Sequence, residues 1–137
     1  MGYNTTIYEE AKAKATEDAK DICERLMRDA EEFKDGSIDL TDFTMSLDYI
    51  ARSMKQISDE LACAKAQDKA TDVLIDDGAF PRLYTERICN GDESGLEDLV
   101  EFLWESGDLS DCTYAQVYMG AKCAWNEATF YAKRDVE

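Results

Sequence analysis

Histidine is absent from the 137-residue chain. Its absence removes the Ser/His and Cys/His catalytic pairs and most zinc sites. Proline occurs once and glycine seven times, so little interrupts long helices. The five cysteines, at 23, 63, 89, 112 and 123, form no C-x-x-C and are odd in number. They read as reduced, half-buried residues of a cytoplasmic protein, not as a disulfide framework. No P-loop, nucleophile elbow or dinucleotide fingerprint occurs, no basic-then-apolar leader opens the chain, and no apolar run reaches membrane-spanning length. Met1-Gly2-Tyr3-Asn4-Thr5-Thr6 fits the short myristoylation pattern, but its plainer reading is an initiator followed by a helix cap.

Basic residues are also scarce. Fifteen Lys and Arg stand against 31 Asp and Glu, a net charge of −16. Such a surface repels nucleic acid and anionic membrane and attracts basic partners. Hydrophobic residues still make up 45% of the chain, with two Trp, seven Tyr and five Phe, enough for a globular fold in one domain, 1–137, without metal or disulfide.

Helical punctuation and periodicity run throughout. Thr6-Ile-Tyr-Glu9 is a capping box. Ile7, Ala11, Ala15, Ala19, Ile22, Leu26, Ala30 and Phe33 then follow at steps of three and four until Asp35-Gly36. Glu10–Lys14, Asp21–Arg25 and Glu24–Arg28 supply i,i+4 pairs. A second helix begins near Thr41, with a heptad-like seam of Phe43, Leu47, Ile50, Met54, Ile57, Leu61 and Ala64. Asp68 interrupts that seam and predicts a kink around 66–71. Pro81, Leu83, Tyr84 and Ile88 suggest a short third helix. Ser94–Glu97 and Thr113–Gln116 are further capping boxes that open a fourth and a fifth. Tyr114, Val117, Tyr118, Ala121, Ala124, Trp125, Ala128 and Tyr131 stripe the last. The expectation is an all-α fold of about five helices: a long antiparallel hairpin, about 6–34 and 41–75, plus three shorter helices.

Two segments invite a calcium reading. Residues 34–43 resemble the second half of an EF-hand loop around Gly36, but Phe33 would occupy a ligand position. Asn90, Asp92, Ser94, Gly95 and Glu101 match loop positions one, three, five, six and twelve, yet Ser94 and Glu97 serve better as a helix cap. Calcium is therefore a minor alternative. Among the many acids only Asp68, on the inner seam, suggests a buried carboxyl, and its bland reading is a kink or a partner to a nearby Lys or Tyr.

Charge placement is the most informative feature. Between Arg87 and Lys122 no basic residue occurs, while Asp92, Glu93, Glu97, Asp98, Glu101, Glu105, Asp108 and Asp111 do. Residues 1–34, by contrast, hold nine acids and six bases. Glu97, Glu101, Glu105 and Asp108 follow i, i+4, i+8, i+11 and are expected to share one helical face, with successive carboxylates about 6 Å apart along the axis. Like charges at i,i+4 cost a helix about 0.2–0.5 kcal/mol per pair. A stripe held without interleaved Lys points to a partner. The competing reading is a solvated face that keeps the protein soluble. Phe102 and Trp104 flank the stripe, and one of them is expected at its rim as an anchor.

In size, acidity and lack of catalytic residues, and in the run 92–111, the chain resembles the small helical inhibitors of phages and mobile elements, including anti-CRISPR and anti-restriction proteins that imitate DNA. That resemblance implies a non-catalytic protein without cofactor, acting in the cytoplasm of a host cell. It would block a basic, nucleic-acid-binding surface of an effector protein through Asp92, Glu93, Glu97, Asp98, Glu101, Phe102, Trp104, Glu105, Asp108 and Asp111. The alternative is a helical assembly protein, a homodimer through the long hairpin.

Overall fold

The computed structural model describes residues 6–75 and 94–136, the last six as backbone only, and these are helical with no strand. Four helices occur among them: α1 (Ile7–Lys34), α2 (Leu40–Ile75), α3 (Ser94–Glu105) and α4 (Tyr114–Val136). The helix expected around Pro81 lies outside the described residues. Two compact units result, one from residues up to 10 and from 62 onward, the other from 11–61.

Helix ends are set by local chemistry. Past α1, Gly36 adopts φ +85°, its N–H bonds the carbonyl of Phe33 and the Ser37 N–H bonds that of Glu32 at 2.8 Å. This is the Schellman closure, which needs a left-handed residue at that point. Asp35 accepts from the N–H and hydroxyl of Ser37, which holds its carboxyl below the usual range. The cap of α2 is Asp39, whose carboxylate accepts the Asp42 N–H at 2.8 Å, so α2 starts one residue before the expected Thr41. The capping box of α4 is reciprocal: Thr113 Oγ1 accepts from the Gln116 N–H at 3.2 Å, and Gln116 Oε1 accepts from the Thr113 N–H at 2.8 Å.

Asp68 departs from expectation. α2 runs unbroken through it, from Leu40 to Ile75. Its two oxygens accept the backbone N–H groups of Ile7 at 3.3 Å and Tyr8 at 2.8 Å. Those donors are orphaned at the start of α1, where a negative charge also meets the positive end of the helix dipole.

The core lies in the unit from residue 62 onward. Ala66 and Ala70 of α2, Leu96, Leu99, Val100 and Leu103 of α3, and Val117, Ala121, Ala124, Trp125 and Ala128 of α4 form one buried cluster with Leu109 and Cys112. α4 approaches α2 at small residues. A methyl group on Gly120 would lie 2.6 Å from both the Ala66 Cβ and the Cys63 carbonyl oxygen. One on Gly95 would lie 2.3 Å from the Trp125 ring. Tyr114 and Tyr118, placed by periodicity on the inner stripe of α4, are instead exposed.

In 11–61, α1 and α2 meet through Phe33 stacked on Phe43 with centroids 4.6 Å apart, the Ser46 hydroxyl bonded to Asp29, Arg25 lying 4.4 Å over the Tyr49 ring, and Lys14 lying 3.9 Å from Glu60. Each step back along α1 meets a step forward along α2. Arg25 pairs with Asp29 at 3.6 Å, not with Asp21 as its spacing suggested. No residue of α1 is buried, and Ile50 is the one fully buried apolar side chain of this unit.

Two substitutions test these contacts. Gly120→Ala gains helix propensity of up to about 1 kcal/mol, but the obstructing atoms include backbone, and overpacking costs about 1–3 kcal/mol. The net expectation in urea unfolding is a less stable protein. Asp68→Ala is expected to lose about 1–2 kcal/mol by removing the acceptor at the start of α1, whereas Asp68→Asn, which keeps an acceptor oxygen, loses less.

Candidate functional site: the acidic face of α3

α3 divides sharply. Gly95, Leu96, Leu99, Val100 and Leu103 are buried, and α3 packs against α4. The remaining side chains have nowhere to go but outward. Glu97, Asp98, Glu101 and Glu105 are all exposed. With 3.6 residues per turn, Glu97, Glu101 and Glu105 climb the outer side and drift about 40° at each step. Phe102 and Trp104 bracket them and are 45% and 47% exposed. Both aromatics, not one, therefore stand at the rim. The Trp104 ring meets Tyr114 edge-on at 5.4 Å, which limits its rotation.

The outer acids differ in what they touch. Among the described residues Glu97, Glu101 and Glu105 have no ion-pair partner. Asp108 and Asp111 do. Asp111 Oδ2 lies 2.7 Å from Lys65 Nζ, and Asp108 Oδ2 lies 3.9 Å from Lys69 Nζ. Asp108 also leaves the helical face on which its spacing placed it. α3 ends at Glu105, Gly107 turns the chain at φ +79°, and Asp108 falls in the following turn. The four-carboxylate stripe is thus three carboxylates on a helix, followed by two aspartates engaged with α2. Asp92 and Glu93 lie outside the described residues.

The Lys65–Asp111 bond lowers the Asp111 pKa and raises that of Lys65. Its contribution is present above the ordinary carboxylate pKa and fades as pH falls through the depressed value of Asp111. At the alkaline end it fades as pH rises through the raised value of Lys65. At neutral pH the pair is intact.

Of the two segments that resemble calcium loops, the described residues are in part regular helix. Ser94 through Glu101 are regular helix, and Gly95 lacks the left-handed φ that a loop glycine would need. Glu31 and Phe33 belong to α1. Among the described residues no group of three or more His, Cys, Asp or Glu converges to hold a metal ion, and no helix is long and apolar enough to cross a membrane. The thiols vary more than expected: Cys112 is buried and Cys63 half-buried, but Cys23 and Cys123 are exposed. Burial pushes the Cys112 thiol up, and the nearby charge of Asp111 adds to this. Its Sγ lies 3.7 Å from the Ala62 carbonyl.

Sequence reasoning missed Lys65 and Lys69 as partners of Asp111 and Asp108. The Lys65–Asp111 pair spans 46 positions, and only the i,i+4 spacing of the two lysines hinted at a shared face. No protein-family profile, curated protein or solved structure matches this chain.

Thiol labelling of the native protein, read by mass spectrometry, is expected to modify Cys23 and Cys123 rapidly. Cys112 reacts only after unfolding, because it is both covered and held as the thiol.

Proposed function

We propose that the chain is a non-catalytic acidic binding protein that blocks a basic, nucleic-acid-binding surface of a partner protein. The observation that carries this reading is the outer side of α3. Glu97, Glu101 and Glu105 stand exposed with no ion-pair partner among the described residues, between two half-exposed aromatics. A row of carboxylates that no described cation pairs offers a basic groove what a phosphate backbone offers it. Phe102 and Trp104 add apolar area for docking. The mechanism is steric and electrostatic competition with nucleic acid, with association accelerated by the net charge of −16. CRISPR and restriction effectors in a host cytoplasm are the kind of target this fits. Asp98 widens the row. Asp108 and Asp111 join only by exchanging Lys69 and Lys65 for partner cations, so their share is smaller. The supporting architecture in this proposal is a hairpin of α1 and α2 with three shorter helices, the third supplied by residues within 76–93.

The test is Glu101→Lys combined with Glu105→Lys. Both sites are exposed, so helicity and melting are expected to stay near wild type. Immobilised wild-type protein is expected to capture a basic nucleic-acid-binding protein from host extract at low salt, to release it as screening rises, and to compete stoichiometrically with nucleic acid for the purified partner. The double variant is expected to lose both capture and competition. Equal capture by the wild type and a folded variant would remove α3 from the reading.

A further inference from the structure

The unit of residues 11–61 carries an apolar side that its own two helical stretches leave uncovered, and we propose that a second copy covers it, two such units joining as a four-helix bundle. The proposal is independent of the acidic face of α3 and rests on helical register. At about 100° per residue, Ala19, Leu26 and Phe33 recur at heptad spacing on α1, as do Leu40, Leu47 and Met54 on α2. Neither set lies on the line where the two helices meet, which runs through Asp29 on α1 and Ile50 on α2. Both are rotated from it in the same sense. In helices running in opposite directions, rotations of the same sense bring side chains out on one common side. The Phe33–Phe43 stack marks that side, and the Arg25–Tyr49 contact marks the other. The apolar residues there are far from buried: Leu47 is 40% exposed and Met54 52%.

The distribution of acids says what kind of occupant fits. On the same projection no Asp or Glu of either helical stretch falls on this side. Glu17, Asp21 and Glu24 of α1, with Asp42 and Glu60 of α2, turn to the opposite side or the outer edge. In a chain with 31 acids and 15 bases, an acid-free face of two helices lets identical copies meet without setting carboxylate against carboxylate. A basic partner would find no counter-charge here. Apolar heptads on both helices are self-complementary, as an isologous two-fold contact requires, and stacking two pairs produces the interior that one pair lacks. Leu47 and Met54, in register with Ile50 and Ile57, then serve as core positions shared by four helices.

Sedimentation equilibrium of the full chain under reducing conditions tests this. The expected mass is that of two chains, with association strengthened between about 0.1 M and about 1 M salt because screening relieves repulsion between the acidic surfaces. Capture through the α3 carboxylates weakens over the same range, so the two ideas fail separately. Leu47→Lys with Met54→Lys is expected to raise the dissociation constant at least about 10-fold. Met45→Lys, exposed on the outer edge of α2, leaves it unchanged. Should the double variant lose helicity, Ser58→Glu, exposed on the apolar side, brings two carboxylates together and is expected to weaken the dimer instead. Single-chain mass at both salt concentrations overturns the proposal. So does a dimer indifferent to folded variants on the apolar side, or one weakened equally by Met45→Lys.

Discussion

The unit from residue 62 onward depends on how closely α4 approaches α2 at Gly120. The space a side chain would need there is already filled by the Ala66 methyl group and the backbone at Cys63 and Gln67. Small residues continue through the same core at Ala70, Ala121 and Ala124. Close backbones gain dispersion contacts that larger side chains would forfeit. Other features follow from that approach. Lys65 and Lys69 flank Ala66 on α2 and reach the turn before α4, where Asp111 and Asp108 wait. The Trp125 ring extends from α4 to cover Gly95. With α3 fixed along α4, its four aliphatic side chains turn inward and its acids turn out.

Magnitudes decide why α3 tolerates those acids. Burying each of Leu96, Leu99, Val100 and Leu103 contributes about 1.5–3 kcal/mol, while each like-charge pair at i,i+4 costs about 0.2–0.5 kcal/mol. Burial wins by nearly an order of magnitude, so the fold leaves the sign of the outer residues unconstrained. In the turn before α4 the balance differs. There the aspartates face lysines from α2, and Asp111 also precedes the N-terminal end of α4 by three residues, where negative charge is favoured.

Local features of the fold were readable in the sequence, and distant ones were not. Thr113 and Gln116 cap each other across three positions, and Gly36 and Gly107 stop helices by their own conformational freedom. Asp68 defeated local reading because the donors it serves stand some sixty positions away, at 3.3 and 2.8 Å. Periodicity found the apolar face of α1 but not what covers it: Leu26 and Phe33 sit on the expected stripe and remain more than a third exposed. The inner line of α1 instead includes Asp18, Arg25 and Asp29, half-buried positions that a hydrophobic pattern passes over. On α3 the sequence identified the outward acids, and it expected one aromatic at their rim where two stand exposed. It placed Asp108 on their face only by continuing the helical spacing beyond the glycine that ends the helix.

Charge is segregated in each of the two units. Solubility alone requires net charge, and even dispersal would supply it with the least self-repulsion. This chain does otherwise. In residues 11–61 acids are withheld from one side of two helices, and the gap coincides with the exposed apolar positions. From 92 to 111 acids gather with no base between them, and two half-exposed aromatics stand among them. Repulsion within α3 is a cost that neither packing nor solubility demands. An acid-free apolar side on the other unit is equally unnecessary for a helix pair meant to face water. Each departure makes physical sense beside a surface of matching kind, cationic for the first and apolar for the second.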